Sequence, residues 1–194
     1  MYPNEIKILL LGNLGVGKTQ LINTFLGNDF NSLPNSNYNF FKHINIDNHS
    51  YNLNFLDTYQ QESYNSLPKS IFSNISIIIF VYDITSKQSF IDLEKWIQLS
   101  NERVNKEYVG GIIGNKTDLE NKIQVTEEEA RKYAEEKNMP FQLVSAKQQS
   151  QNFNDFIIEL IKKLIQINPS LLEIPQQRLD HPGFRDCRPE CYKC

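Results

Sequence analysis

The segment that most constrains the fold is a glycine-rich loop between a predicted buried strand and a predicted helix. The apolar run at residues 6–11 predicts a strand covered on both faces, and residues 18–26 predict a helix. Between them, Gly-Asn-Leu-Gly-Val-Gly-Lys-Thr matches G-x-x-x-x-G-K-[ST] in the strand–loop–helix context that this pattern requires. An ordinary glycine-rich turn is the alternative, but the complete pattern favours a phosphate-binding loop at residues 12–19.

The residue types in this loop explain its chemistry. Glycines let the backbone approach a ligand more closely than side chains would allow. Successive backbone N–H groups and the N-terminus of the helix then point at phosphate oxygens. We expect Lys18 to bridge the outer phosphates and Thr19 to offer its hydroxyl to Mg²⁺. The residues predicted to bind the nucleotide here are Asn13, Leu14, Gly15, Val16, Gly17, Lys18, Thr19 and Gln20.

The remaining patterns predict an α/β fold. Alternating or continuous apolar runs predict five further strands, and apolar residues at helical spacing predict three further helices. The predicted strands span residues 43–46, 51–56, 77–82, 108–113 and 141–144, and the helices span 86–104, 126–137 and 153–165. Strands alternating with helices indicate a six-stranded, mostly parallel sheet with helices on both faces.

Composition limits the domain organisation and the class of partner. A chain of 194 residues with 40% hydrophobic residues can form one ordinary domain and a tail. We predict a domain at residues 1–167 and a flexible tail at 168–194, because the latter has four prolines and no periodicity. A net charge of −3 argues against a nucleic-acid partner. The three cysteines all lie in the last eight residues, which fits a reducing compartment.

A second motif predicts which base is bound. Asn115-Lys116-x-Asp118 follows the strand predicted at 108–113, and so lies at the edge of the sheet where ligands bind. The Asp118 carboxylate can accept two hydrogen bonds from the ring N–H and the exocyclic amine of guanine, a donor pair that adenine lacks. After the next strand comes Ser145-Ala146-Lys147, where a backbone N–H could meet the guanine carbonyl.

Taken together, these motifs resemble those of the Ras superfamily of small GTPases, and those of its Rab branch most closely. The resemblance rests on GNLGVGKT, LDT, VYDITSKQSF, Trp96, GNKTD and SAK, which stand in the family's order. It implies the P-loop NTPase fold, bound GTP or GDP with Mg²⁺, and GTP hydrolysis. It also implies a monomer with effectors, an exchange factor and a GTPase-activating protein as partners. Phe30 matches the aromatic residue that packs on guanine in this family; the alternative is a core phenylalanine at a helix end.

The first loop that senses the γ-phosphate departs from the family pattern. Rab-like proteins carry a threonine there whose hydroxyl coordinates Mg²⁺. Counting back from Phe41 and Lys42 places Ser36 at that position, whereas counting forward from residues 12–19 places Asn37 there. Ser36 is the better oxygen ligand, and a loop with no side-chain ligand remains a third possibility.

The second sensing loop also departs from the pattern. By resemblance, Asp57 holds Mg²⁺ through water and Gln61 orients the attacking water. The family's glycine before this glutamine is replaced by Gln60, which costs on the order of 1 kcal/mol if the position needs a glycine conformation. Leu14 places a bulky apolar side chain beside the γ-phosphate position. These changes predict slow intrinsic hydrolysis or altered switching.

The end of the chain carries candidate lipidation sites. Rab proteins usually end in paired cysteines that are geranylgeranylated, and here Cys191 and Cys194 are the candidates. Lipidation would place the protein on the cytoplasmic face of an intracellular membrane, from which it would cycle with the cytosol. Two alternatives are an unmodified tail and a small zinc site formed by His181, Cys187, Cys191 and Cys194.

Three functional hypotheses therefore follow. The first is a membrane-associated Rab-like GTPase switch in vesicle traffic. The second is a GTP-binding scaffold with impaired switching or hydrolysis, suggested by Gln60, Leu14 and the irregular first loop. The third is a kinase or another ATP-dependent enzyme with the same phosphate loop, which Asp118 disfavours because it is suited to guanine.

Overall fold

A central sheet organises the molecule. The structure is a computed structural model that describes residues 5–30, 39–58, 67–148 and 151–172. The strands of these residues are β1 (Glu5–Leu11), β2 (Asn39–Ile46), β3 (His49–Asp57), β4 (Ile77–Asp83), β5 (Val109–Asn115) and β6 (Phe141–Leu143). They form one sheet in the order β2-β3-β1-β4-β5-β6, in which only β2 and β3 run antiparallel. The predicted six-stranded, mostly parallel sheet is confirmed.

Helices cover both faces of this sheet, as predicted. The α-helices of the described residues are α1 (Lys18–Phe25), α2 (Lys87–Ile91), α3 (Leu93–Arg103), α4 (Glu127–Glu136) and α5 (Gln151–Ile167). Buried side chains of α1 and α5 share one apolar cluster, and those of α2, α3 and α4 share the other. Short 3₁₀ helices lie at Lys69–Phe72, Glu120–Lys122 and Pro169–Leu172.

The central strand β4 shows why its sequence is apolar throughout. All seven of its residues are buried. Ile77, Ile79 and Val81 belong to the cluster of α1 and α5, whereas Ile78, Phe80 and Tyr82 belong to the opposite cluster. Successive side chains of a strand point to opposite faces, so a strand with helices on both sides needs apolar residues at every position.

The predicted hairpin is present, but its first strand is longer than predicted. β2 begins at Asn39 rather than at residue 43 and pairs with β3 along its whole length. The alternation of apolar and polar residues that predicts a strand is interrupted here by two adjacent phenylalanines. Phe40 packs against the core, whereas Phe41 is 61% exposed on the other face. The turn is a tight one in which Asp47 and Asn48 have φ values of 47° and 65°, as a two-residue hairpin turn requires.

The helix predicted at residues 86–104 is wrong in one respect, because the structure has two consecutive helices there. Ser86 caps α2 by accepting a hydrogen bond from the N–H of Ser89 at 3.3 Å, and Asp92 separates α2 from α3. The torsions of Asp92 stay close to helical, with φ −71° and ψ −10°, so the apolar spacing continues across the break. That continuity explains why a sequence pattern detects a single helix.

The predicted cap of α4 is confirmed, but only half of the capping box is formed. The Thr126 hydroxyl accepts a hydrogen bond from the N–H of Glu129 at 3.2 Å. The Glu129 carboxylate pairs instead with Lys87, at the start of α2. This ion pair joins two helices on the same face of the sheet.

The last described residues continue beyond α5. The 3₁₀ helix at Pro169–Leu172 lies within the segment predicted as tail, and Leu171 packs against the core. Residues 173–194 lie outside the described residues, so the prediction of a flexible tail stays a prediction. No helix among the residues described has the length and apolar character to cross a membrane.

Candidate nucleotide-binding site

The carboxyl edge of the parallel strands brings the predicted site residues together. The strands β1, β4 and β5 run parallel and end at Leu11, Asp83 and Asn115. The segment after β1 is the glycine-rich loop, and the segment after β5 is the predicted base-reading segment. Ligands of open α/β sheets bind at this edge, so the topology agrees with the sequence prediction.

The glycine-rich loop leads into α1 through a residue that must be glycine. Gly17 is the N-cap of α1 and has a φ of 98°. A Cβ atom at this position would lie 2.3 Å from the Nδ2 atom of Asn115. The loop and the base-reading segment therefore approach each other more closely than any side chain at Gly17 would allow.

Lys18 lies across the loop and is largely buried. Its Nζ atom donates hydrogen bonds to the backbone carbonyls of Gly12 at 2.8 Å and Asn13 at 3.0 Å. The residue is 8% exposed. An ammonium group held over the loop backbone in this way agrees with the predicted role of Lys18 at the outer phosphates.

Thr19 and Asp57 meet at the mouth of the loop, although they are 38 residues apart in the sequence. The Thr19 hydroxyl donates a hydrogen bond to Asp57 Oδ2 at 2.5 Å, and Asp57 is 2% exposed at the end of β3. A hydroxyl and a buried carboxylate side by side fit Mg²⁺, which prefers oxygen ligands and usually takes one or two carboxylates together with phosphate oxygens. Two of the three predicted ligands, Thr19 and Asp57, are therefore placed together.

Asn115 has a role that the sequence analysis missed. Its Nδ2 atom donates to the Val16 carbonyl at 2.8 Å, and its Oδ1 atom accepts from the N–H of Ala146 at 3.1 Å. The residue is 1% exposed. One amide thus ties the phosphate loop, the end of β5 and the segment after β6 together, and these are the three segments predicted to surround the nucleotide.

Asp118 is oriented by the predicted segment at 145–147. The Ser145 hydroxyl donates to Asp118 Oδ1 at 2.6 Å and accepts from the N–H of Gln148 at 3.2 Å. These two contacts define the position of the hydroxyl proton. The carboxylate that should read guanine is therefore fixed before a base arrives.

Lys116 is held by a partner that the sequence analysis did not assign to the site. Its Nζ atom lies 2.6 Å from Asp83 Oδ2, at the end of β4. Asp83 Oδ1 also accepts from the N–H of Thr85 at 2.8 Å and from its hydroxyl at 2.7 Å. Burial opposes the charge of Asp83, but the bonds from Lys116 and Thr85 outweigh it and lower the pKa of this carboxyl. The only sequence signal for this contact was the Rab-like Tyr82-Asp83-Ile84-Thr85-Ser86 segment.

The other predicted residues lie around this centre. Leu14 is 60% exposed at the tip of the loop. Gln20 is half-buried in the first turn of α1, and Lys147 is exposed after Ala146. Phe30 is partly buried against the core, an arrangement that keeps the core alternative open.

Several predicted residues cannot be placed. Ser36, Asn37, Gln60, Gln61, Cys191 and Cys194 lie outside the described residues. Their roles stay predictions.

Comparison with known proteins decides the family. The chain matches the Ras family over residues 7–166. The chain belongs to this family. A relative from Nicotiana tabacum, the Ras-related protein Rab5, is 36% identical over 167 residues, which are 84% of this chain and 83% of the relative. The mouse Ras-related protein Rab-17 is 37% identical over 167 residues, or 83% and 78% of the two chains. The Ras-related protein RABF2b from Arabidopsis thaliana is 29% identical over 188 residues, or 93% and 94%.

The family supports the first functional hypothesis. This Rab-like small GTPase has the P-loop NTPase fold, binds guanine nucleotides and hydrolyses GTP in intracellular vesicle traffic. Its partners are of the family's general kinds, namely effectors, exchange factors and GTPase-activating proteins. The relatives do not favour the scaffold or the ATP-dependent enzyme.

Proposed function

We propose that this Rab-like GTPase is a switch with slow intrinsic hydrolysis, whose two states differ in the two sensing loops that carry Ser36 and Gln61. The observation that carries the proposal is the pairing of Thr19 with Asp57 beside Lys18. Asp57 lies four residues before Gln61 in the sequence. A change in the contacts of Asp57 at the γ-phosphate would therefore be transmitted to the second loop through a short stretch of backbone. Ordering and release of such loops is how nucleotide state becomes partner binding in this class of switch.

The chemistry asked of this chain is mainly positioning. When bound, Mg²⁺ supplies positive charge beside the β- and γ-phosphates. Thr19 and Asp57 would hold it, with Ser36 as the proposed further ligand. Lys18 would neutralise the outer phosphate oxygens, and Gln61 would hold a water in line with the γ-phosphorus.

Two features support slow turnover without a partner. Leu14 presents a largely exposed apolar side chain next to the proposed γ-phosphate position, where it cannot donate a hydrogen bond. The arginines of the described residues lie elsewhere, Arg103 in the last turn of α3 and Arg131 paired with Glu127 on α4. An activating arginine supplied by a partner would be worth roughly 10³–10⁵ in rate.

The decisive experiment is to extract the bound nucleotide from purified protein and to time its conversion from GTP to GDP with Mg²⁺ in excess. We expect guanine nucleotide only, and single-turnover hydrolysis that accelerates in Gln60→Gly, because glycine restores the missing backbone freedom. Gln61→Leu is the matched variant that should abolish hydrolysis while leaving nucleotide binding intact. A wild-type rate equal to that of Gln60→Gly would contradict slow intrinsic turnover.

We further propose a lipid anchor at Cys191 and Cys194, which would place a monomeric domain of residues 1–167 on the cytoplasmic face of an intracellular membrane. Residues 168–194 would act as the tether, and loss or masking of the lipid would allow cycling with the cytosol. Two chains give stable anchoring, whereas one gives only marginal membrane binding.

Labelling with an isoprenoid in cells tests this anchor. We expect label in the wild-type chain and in Cys187→Ser, partial label in either single variant of Cys191 or Cys194, and none in the double variant. Sedimentation with membranes should follow the label. An unlabelled wild-type chain would refute the anchor without affecting nucleotide binding.

A further inference from the structure

The second residue of the phosphate loop is bonded to a helix that takes no part in the nucleotide chemistry described above. Asn13 Nδ2 donates to Asp92 Oδ2 at 2.8 Å, and Asn13 Oδ1 accepts from Trp96 Nε1 at 2.9 Å. Asp92 and Trp96 lie at the start of α3, about 80 residues further along the chain, as the separations of 79 and 83 residues show. The loop is thus connected to α3, which packs on the same face of the sheet as α2 and α4.

The chemistry of these two contacts fixes the orientation of the amide. Trp96 Nε1 is only a donor, and the Asp92 carboxylate is only an acceptor. If the amide of Asn13 were turned over, its NH₂ group would face the indole N–H of Trp96, and its oxygen would face the carboxylate of Asp92. The Asn13 side chain therefore has one favourable orientation, and both of its polar ends are used.

The partners of Asn13 are themselves held in place. Asp92 Oδ1 accepts from Gln88 Nε2 at 3.0 Å and from Lys95 Nζ at 2.6 Å. The Asp92 carbonyl accepts from the N–H groups of Lys95 and Trp96. Trp96 is 3% exposed, and its ring belongs to the apolar cluster beneath α3. A fixed carboxylate and a fixed indole therefore form a rigid base for the loop.

The same residue also supports Lys18. The Asn13 carbonyl also accepts a hydrogen bond from Lys18 Nζ, at 3.0 Å. A loop residue whose side chain is fixed to α3 presents its carbonyl, and the N–H groups that follow it, in one arrangement. Groups that are arranged before binding lose less freedom when the ligand arrives.

We infer that the Asn13 side chain is a positioning residue, which holds the phosphate loop in its nucleotide-binding form through Asp92 and Trp96. It acts through the backbone of the loop rather than by contact of its amide with the nucleotide. α3 is then part of the nucleotide site, and a change at the start of α3 alters how tightly the loop holds the phosphates. This inference rests on guanine nucleotide binding by the chain, but not on the rate of hydrolysis.

The test is the dissociation rate of a fluorescent GDP from full-length protein with Mg²⁺. We expect Asn13→Ala to release GDP about tenfold faster, because it loses a bond to a charged group and a bond to an indole. Trp96→Phe keeps an aromatic ring and should release GDP about threefold faster. The matched control is Tyr133→Phe, which removes the bond from Tyr133 to Glu94 on α3, at 2.8 Å, and should leave the rate unchanged.

The double variant separates positioning from general destabilisation. If Trp96 acts only through Asn13, Asn13→Ala with Trp96→Phe should be no faster than Asn13→Ala alone. Multiplied effects, or a single-variant rate within twofold of wild type, would overturn the inference. Wild-type protein that binds no guanine nucleotide would instead overturn the nucleotide site itself.

A spectroscopic signature gives an independent readout. The chain has one tryptophan, so its indole N–H gives one cross-peak in a ¹H–¹⁵N spectrum. Asn13→Ala should move this proton upfield and speed its exchange with water, because the acceptor at 2.9 Å is lost. Tyr133→Phe should leave it in place. An unchanged indole signal in Asn13→Ala would show that the bond is absent in solution and would contradict the inference.

Discussion

Alanine in place of Gly12 is expected to lower the free energy of unfolding by about 3–5 kcal/mol, and to abolish tight nucleotide binding, because overpacking and backbone strain add. The Cβ atom would lie 2.1 Å from the carbonyl oxygen of Val81 and 3.1 Å from its carbon. Val81 is fully buried in the central strand β4, so neither side can move away cheaply. Gly12 also has a φ of 149°, which an L side chain rarely adopts.

Urea unfolding of the two proteins after removal of nucleotide measures the first effect without a contribution from bound ligand, and GDP dissociation measures the second. Gly27→Ala is the matched control, since Gly27 has a φ of 85° with nothing within 4 Å of an added Cβ atom. Backbone strain alone should lower the free energy of unfolding of Gly27→Ala by about 1 kcal/mol. Equal destabilisation by the two variants would show that the contact with Val81 is relieved by a small shift and that the prediction is wrong.

Local sequence patterns were sufficient for the elements that carry the site. The strands β1, β4 and β5 are buried on both faces, and a largely apolar run is therefore expected in each of them. The loop at residues 12–19 was predictable because phosphate binding restricts residue types at fixed spacing. The order of the motifs along the chain predicts that Asp118 and Ser145 lie at the same edge of the sheet. In the structure, Ser145 Oγ lies 2.6 Å from Asp118 Oδ1.

The contacts that the sequence did not predict are those between distant residues. Asn115 was predicted to bind the nucleotide, and its bond to Val16 joins residues 99 positions apart. The pair of Asp83 and Lys116, like that of Asn13 and Trp96, also depends on which strands and helices become neighbours. Spacing within one segment carries no information about such pairs. The break at Asp92 was missed for the opposite reason, because near-helical torsions leave the local pattern unchanged.

The tie between Asn115 and the phosphate loop also changes how the specificity of the site should be understood. The residues predicted to read the base and those predicted to bind phosphate share one rigid frame, since the Asn115 amide joins Val16 and Ala146. A change confined to Asp118 leaves that frame in place. We therefore expect Asp118 to be the position at which the choice of base can be altered while phosphate binding is kept.

Asp118→Asn is expected to weaken GDP binding by roughly 10²–10⁴-fold, because two hydrogen bonds to a charged acceptor are lost at about 1.5–3 kcal/mol each. The Ser145 hydroxyl donates its proton toward Oδ1 and already accepts from Gln148, so the amide oxygen of the variant should stay beside Ser145. The new NH₂ group then faces guanine, which also presents donors. Xanthine has a carbonyl where guanine has its amine, and it should regain much of the lost affinity.

Dissociation constants for GDP, xanthosine diphosphate, inosine diphosphate and ADP measure this change in preference. In the wild-type protein we expect inosine diphosphate, which lacks the exocyclic amine, to bind more weakly than GDP, and ADP to bind far more weakly than either. Glu120→Gln removes the same charge from the exposed 3₁₀ helix that follows Asp118 and is the control for electrostatics at a distance. If Asp118→Asn keeps its affinity for GDP within tenfold and gains none for xanthosine diphosphate, Asp118 does not read the base, and the orienting bond from Ser145 serves the fold alone.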